Sequence, residues 1–209
     1  MKPWLFDILA CPIDKHFPLQ LTIFSYETER SIIESFLNEY NERNIGKIKS
    51  HKIIHLSREQ EQVYIKDNIV LEQKSMTEYL DLILASIGEM EHITDKSTCD
   101  VAKQGLNLIL NDIRKTVTEF KNGETQGSID EILPELLFIN RMKIEVEISS
   151  GLLFCDKCNR WFPIIDTIPQ MLPDAYREKK KDLQFLKANK SLIDAEMLKK
   201  ELKPYDISS

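Results

Sequence analysis

No stretch of this sequence reaches the ~18 uninterrupted apolar residues of a membrane-spanning helix, so no membrane partner is expected. Glycine is scarce, six in 209 residues, and no Gly-rich phosphate loop occurs. Gly-x-Ser-x-Gly, His-Glu-x-x-His, helix-turn-helix patterns and internal repeats are also missing, and with them the common signatures of hydrolase, metalloprotease and nucleotide-binding sites. Positive charge is in deficit: 28 Lys and Arg stand against 34 Asp and Glu, a net charge of −6. A chain that grips RNA phosphates by itself usually shows a basic balance or stripe, and here only Arg177 to Lys181 offers one. Cysteine is limited to four residues. The opening MKPWLFDILACPID is not read as a signal peptide, because Asp7 interrupts a very short apolar run and no small-residue cleavage site follows. A reducing, cytoplasmic setting is therefore expected, where paired cysteines signal metal more often than disulfide.

What is present is an ordinary folded composition, 42% hydrophobic and 30% charged, and one concentrated feature. Gly151 to Asp174 (GLLFCDKCNRWFPIIDTIPQMLPD) holds the Cys155-x-x-Cys158 pair, followed at once by Trp161-Phe162-Pro163-Ile164-Ile165. Two thiolates at that spacing grip one soft cation and leave it short of ligands. The N-terminal ACPIDKHFPLQL, with Cys11 in a similar setting, is the place to look for the others. Cys11, Cys155 and Cys158 make three ligands, and zinc is the expected ion. For the fourth, imidazole chemistry favours His16, while tight knuckle geometry favours Asp14. The alternative is that no metal binds and Cys11 packs in a small core. Cys99 reads as a small buried hydrophobe, and His51, His55 and His92 as surface or capping residues. A thioredoxin-like role for Cys155 and Cys158 would need a following helix, and a strand pattern follows instead.

Along the chain, residues 2 to 10 read as a short helical turn, and Phe17 to Phe24 as a strand beginning at Pro18. From Tyr26 the periodicity becomes helical, with capping-box signatures at Ser31, Ser75 and Ser128. Lys47 to Leu56 reads as an extended connection and Ser57 to Gln73 as helix. A long helix is expected from Thr98 to Lys121, a flexible turn at Gly123 to Gly127, and a helix from Ser128 to Asn140. Ile144 to Ile148 alternates strictly and reads as a strand. Leu152 to Phe154, the cysteine knuckle and Trp161 to Ile165 then form a hairpin on the zinc-ribbon plan. Tyr176 to Leu202 reads as one charged amphipathic helix. The fold class is thus α+β: an antiparallel zinc-ribbon-like domain from 1–25 and 144–175, an all-helical insertion at 26–143, and a helical tail at 176–209.

MKPWLFDILACPIDKHFPLQL, joined across the insertion to GLLFCDKCNRWFPIIDTIPQML, resembles the Trm112 family. The resemblance rests on the Ala10-Cys11-Pro12 turn, Phe17-Pro18-Leu19, the Cys155–Cys158 knuckle, Phe162-Pro163-Ile164 and Ile168-Pro169-x-Met171-Leu172, and it covers about residues 1–24 and 144–173. It implies a non-catalytic subunit that binds Rossmann-like, S-adenosylmethionine-dependent methyltransferases as a heterodimer. The cofactor is then held by the partner, and RNA is met only through it. The partners' substrates would be tRNA, ribosomal RNA or a translation release factor. Binding is by β-edge pairing and hydrophobic packing, with Leu5, Phe162, Ile164, Ile165, Ile168, Pro169, Met171 and Leu172 as the expected contact residues. Asp14 stands where many relatives have the second cysteine of the N-terminal knuckle, and His16 where the resemblance places a Cys-x₄-Cys ligand. The insertion is longer than in most relatives. The competing reading is a zinc-ribbon nucleic-acid adaptor.

Overall fold

A computed structural model describes residues 1–59, 62–123 and 128–207, and the chain divides into two units. The first is made of Met1–Glu27, His92–Cys99 and the residues from Glu147 onward; the second is made of Thr28–Glu91 and Asp100–Val146.

The first unit is built on one five-stranded sheet. After a short helix α1 (Pro3–Phe6), strand β1 (Gln20–Tyr26) pairs antiparallel with β6 (Ile148–Cys155), which turns back into β7 (Arg160–Ile165). A second hairpin joins β7 to the two-residue β8 (Ile168–Pro169), and Asp166 and Thr167 both take positive φ in its turn. Two consecutive left-handed residues are what a tight two-residue hairpin of the right twist demands. Strand β5 (Ile93–Asp95) comes from the middle of the chain and lies parallel to β1 on its other side.

Register decides which side chains share a face. Leu21, Leu153 and Phe162 stand in one row and Ile23, Gly151 and Ile164 in another, whereas Gln20, Phe154 and Trp161 fall on the opposite face. Gly151 is required by this packing, because a Cβ there would meet the Thr22 carbonyl oxygen at 2.7 Å. The face bearing Leu152, Phe154, Trp161 and Phe24 is covered by the C-terminal residues Leu186, Ile193, Met197 and Leu202, with Phe185, Leu192, Leu198 and Ile207 around them. These belong to helices α8 (Lys179–Ala188) and α9 (Ala195–Leu198), the turns between them and the segment after them. Trp161 holds the covering in place. Its indole Nε1 donates to Tyr205 O (3.0 Å), its ring stacks on Phe185, and the Arg177 guanidinium lies over it at 4.6 Å. Arg177 and Asp182, both buried, are joined at 2.8 Å.

In the second unit, helices α2 (Arg30–Glu42), α3 (Ile45–Ser50), α4 (Met76–Glu89), α5 (Asp100–Leu108), α6 (Arg114–Lys121) and α7 (Leu133–Ile144) accompany a three-stranded antiparallel sheet. That sheet comprises β2 (His55–Glu59), β3 (Gln62–Lys66) and β4 (Lys74–Ser75). Helix α7 is buried almost all round, which places it at the centre of this core, against α2 and α3. Its buried Asn140 and Lys143 are satisfied internally, as burial requires. Asn140 donates to Asp67, which also accepts from the Tyr79 hydroxyl, and the Lys143 ammonium donates to Ser86 Oγ and O at 2.6 and 2.9 Å. Glu39 is bound by Arg141 (3.0 Å) and His51 (2.6 Å).

Several expectations from sequence are corrected. The insertion is not all helical: His55–Glu59 and Gln62–Lys66 pair antiparallel, and β5 joins the first unit's sheet. Strand β2 is exposed along its whole length, so no buried face marked it in the pattern. Residues 45–50 are helical rather than extended, with Asn44 capping them through Lys47 N–H. Ile144 ends α7, and the strand begins only at Ile148. The single C-terminal helix is two short ones separated by turns. Helix α2 starts at Arg30 without a side-chain cap, whereas the capping box at Ser75 and Glu78 is fully formed. The long helix over 100–121 is present, with one wide π-type turn at Ile109–Ile113. Beyond Gly123, the turn expected at Gly123 to Gly127 lies outside the described residues. Among the described residues no helix is long and apolar enough to cross a membrane.

Candidate metal centre

Two turns of the first unit bring four side chains together. The β6–β7 turn carries Cys155 at the end of β6 and Cys158 within the turn, with Asn159 at positive φ reversing the chain into β7. The N-terminal knuckle is closed by its own backbone. Cys11 N–H donates to His16 O (2.9 Å), and Lys15, at positive φ, donates to Cys11 O (2.9 Å). Inside that loop Asp14 Oδ1 accepts from His16 N–H at 3.0 Å, which fixes the carboxylate toward the thiols.

The ligand atoms of Cys11, Asp14, Cys155 and Cys158 all lie within 4.8 Å of one another. Cys11 Sγ is 3.7 Å from Cys158 Sγ, and Cys155 Sγ is 3.7 Å from each Asp14 carboxylate oxygen. A tetrahedral zinc ion with Zn–S near 2.3 Å and Zn–O near 2.1 Å needs edges of about 3.8 Å between sulfurs and about 3.6 Å from sulfur to oxygen. The separations of 3.7 Å match those edges and the remaining ones lie within 4.8 Å, so the four side chains fit zinc. Such an ion would have no open coordination position, and its chemistry there is to clasp the two knuckles, not to activate water.

Electrostatics agree with a site made for a cation. Burial pushes the Cys155 thiol up to about 12 and also raises that of Cys11, so without an ion both stay protonated at neutral pH. Asp14 is held down to about 2, chiefly by the His16 backbone N–H, and is ionised. Arg160 stands beside the site, its guanidinium bound to Asp174 (2.9 to 3.2 Å) and held in its charged form first by Asp174 and then by Cys158. Three thiolates and one carboxylate around a divalent ion leave two excess negative charges, which Arg160 and Lys157 are placed to offset.

Of the two candidates for the fourth ligand, the structure brings Asp14 beside the thiols. The His16 ring is engaged elsewhere, its Nε2 lying 2.8 Å from Asp156 Oδ1, and Asp14 takes the place beside the thiols. The signal was in the sequence, since Asp14 repeats the x-x spacing of Cys155 and Cys158. Cys99 is partly buried with its N–H on Ser97 Oγ, and His92 reaches Gln20.

The expected contact residues divide. Phe162 and Ile164 are fully buried in the sheet's own core, because alternation turns them inward with Leu21, Leu153 and Ile23, so they are withdrawn from any docking surface. Ile165, Ile168 and Leu172 are exposed, whereas Leu5, Pro169 and Met171 are half-buried. Four large apolar side chains absent from the expected set are also exposed in the N-terminal segment: Trp4, Ile8, Ile13 and Phe17, with Ile8 67% accessible. A count of aromatic and branched residues flanking Cys11 would have drawn attention to them.

No curated protein and no solved structure matched the chain when it was compared with both. Residues 2–166, most of the chain and both knuckles, match the family model described as Trm112p-like protein. The chain therefore belongs to the Trm112p-like family, whose members serve methyltransferases as non-catalytic regulatory subunits.

Proposed function

We propose that this chain is an activating and stabilising subunit of S-adenosylmethionine-dependent methyltransferases that modify tRNA, ribosomal RNA or a translation release factor. It works in the cytoplasm as one half of a heterodimer. The partner binds the cofactor and the substrate, and this chain meets RNA only through it. The observation that carries the reading is the exposure of Trp4, Ile8, Ile13, Phe17, Ile165, Ile168 and Leu172 on a unit that also buries a full apolar core. Large exposed apolar side chains in such number mark a protein-binding surface. A net charge of −6 weighs against direct capture of nucleic acid.

Within this reading the metal centre is a support. Cys11, Asp14, Cys155 and Cys158 hold zinc, and zinc fixes the knuckles that carry Phe17 and Ile13 on one side and lead into β7 on the other. Docking proceeds by packing of the exposed apolar side chains, with strand pairing added at the sheet's edge.

The test is co-expression with affinity capture. Methyltransferases recovered with the chain, identified by mass spectrometry, should turn over labelled S-adenosylmethionine faster with it than without it. Ile8→Asp with Ile168→Asp should abolish recovery while leaving the circular dichroism spectrum unchanged. Recovery unaffected by that pair would overturn the surface. Salt-sensitive RNA binding by the isolated chain in a filter assay would overturn the role in favour of an adaptor.

A further inference from the structure

The outer edge of β7 is closed by the chain itself. Asn159 O accepts from Lys203 N–H (2.9 Å), and Trp161 N–H donates to Lys203 O (3.2 Å). Trp161 O accepts from Arg177 Nη1 (2.8 Å), Pro163 O accepts from Gln170 N–H (2.8 Å), and Ile165 pairs with Ile168. An unsatisfied strand edge invites another strand, and this one has none of its outward groups left open.

The two halves of that closure differ. Residues 168–170 belong to a hairpin continuous with β7, and the Met171 and Leu172 amides turn back on Pro169 and Gln170. Lys203, in contrast, arrives from a distant part of the sequence and makes a lone parallel bridge opposite Arg160. It supplies the two backbone bonds that an incoming parallel strand would make at the same place. The covering segment is anchored upstream of it, through Leu186, Ile193 and Met197 and the Arg177–Asp182 pair. Between residues 201 and 205 only Leu202 is buried, so lifting that stretch costs the cluster this one side chain and the bond from the Trp161 indole to Tyr205 O.

We propose that residues 202–205 form a cis strand that holds the outer edge of β7 until the exposed edge strand of a methyltransferase's sheet, entering parallel to β7, replaces it. This rests on the proposed function. It adds that binding is an exchange of one strand for another. The chain thereby protects an edge that would otherwise pair indiscriminately, and it lowers its own apparent affinity by the fraction of molecules in which the edge is closed.

Hydrogen exchange on the full chain tests it, alone and bound to a methyltransferase that co-purifies with it, with complex formation verified by size exclusion. In the free chain the Trp161 and Lys203 amides should both be protected. On binding, Trp161 should stay protected while Lys203 loses at least about tenfold of its protection. A complex in which Lys203 keeps its protection overturns the exchange and leaves the proposed function standing. Failure of any methyltransferase to bind overturns both. Leu202→Ala removes the one buried side chain of the cis strand, leaves the residues of β7 themselves unchanged and should tighten binding roughly three- to tenfold. Unchanged or weaker binding by that variant, with Trp161 still protected in the free chain, also overturns it.

Discussion

The sulfur atoms of Cys11 and Cys158 lie 3.7 Å apart across 147 positions of sequence. The side chains placed to hold zinc are therefore contributed by two distant pieces of one sheet domain, and an ion between them would tie those pieces in the folded state only. Binding to the native state alone stabilises by about 2.7 kcal/mol at a free zinc concentration a hundred times the dissociation constant.

In a chain of 209 residues unfolding as one unit, that energy corresponds to a rise of roughly 5 to 10 °C in the melting point. Scanning calorimetry of chelator-treated protein with and without added zinc measures it. Cys155→Ser should remove the zinc-dependent part, and a melting point insensitive to zinc in the unsubstituted chain would show that the clasp is not made.

Asp14 and His16 make opposite predictions. Loss of a direct ligand should weaken zinc at least as much as the ~10- to 100-fold loss typical of outer-shell partners, so Asp14→Ala should exceed that range. His16→Ala should stay within a few-fold, roughly, since its contribution to Asp14 is a backbone N–H that survives the substitution. Competition against a chromophoric chelator ranks the two, and the reverse order would restore His16 as the ligand.

Zinc binding should release protons. Burial raises the Cys11 and Cys155 thiols, the latter to about 12, so at pH 7 both are protonated in the metal-free fold and both must ionise to bind. At least two protons per zinc should appear when binding enthalpies are compared in buffers of different ionisation enthalpy. Apparent affinity should climb about a hundredfold per pH unit between pH 6 and 8. Asp14, held near 2, contributes nothing to this slope above pH 4. For the metal-free fold the sign is the opposite: a raised thiol favours folding at neutral pH, and that contribution is lost as pH climbs from 9 toward 12.

Gly151→Ala should destabilise the first unit by about 1 to 3 kcal/mol in urea unfolding. The new methyl group would meet the Thr22 carbonyl at 2.7 Å, and a backbone atom cannot swing away as a side chain can. A neutral outcome would mean that β1 and β6 sit further apart than described.

Arg177→Met leaves the buried Asp182 carboxylate without its partner and should cost about 3 to 5 kcal/mol. Adding Asp182→Leu should return most of that loss, since removing both charges leaves only the Trp161 contacts missing. A double variant no better than the single one would place the energy in the Arg177–Trp161 stacking instead.

How much of this was readable in the residues depends on whether a local rule spoke for a tertiary contact. The Cys155-x-x-Cys158 hairpin and the Ser75 capping box were legible because spacing and side-chain chemistry act within a few positions. Strand β7 was legible as an aromatic and branched run. The end of α7 was not, because a helix buried on every side carries no periodic face, and Ile144 to Ile148 then imitates alternation. Strand β5 is only three residues long, and parallel pairing with β1 leaves no mark in its own sequence. Spacing pointed to Asp14 and ligand chemistry to His16, and what sets Asp14 beside the thiols is a backbone bond inside the loop, which no residue pattern displays.

Strand β5 also has a consequence for how the molecule is made. The sheet takes its strands in the order β1, β5, β6, β7, β8 as the chain lengthens, yet β1 sits between β5 and β6. During synthesis β1 must wait some seventy residues for its first neighbour, as the sequence separation of Leu21 and Ile93 shows, and over a hundred for its second. By then α2 and α4 of the other unit have already emerged. The newborn chain therefore holds β1 as an orphan strand beside helices that are complete, a condition in which chaperones find their clients. Arrest of translation before Ile148 should leave β1 open to protease, and arrest beyond Ile165 should close it.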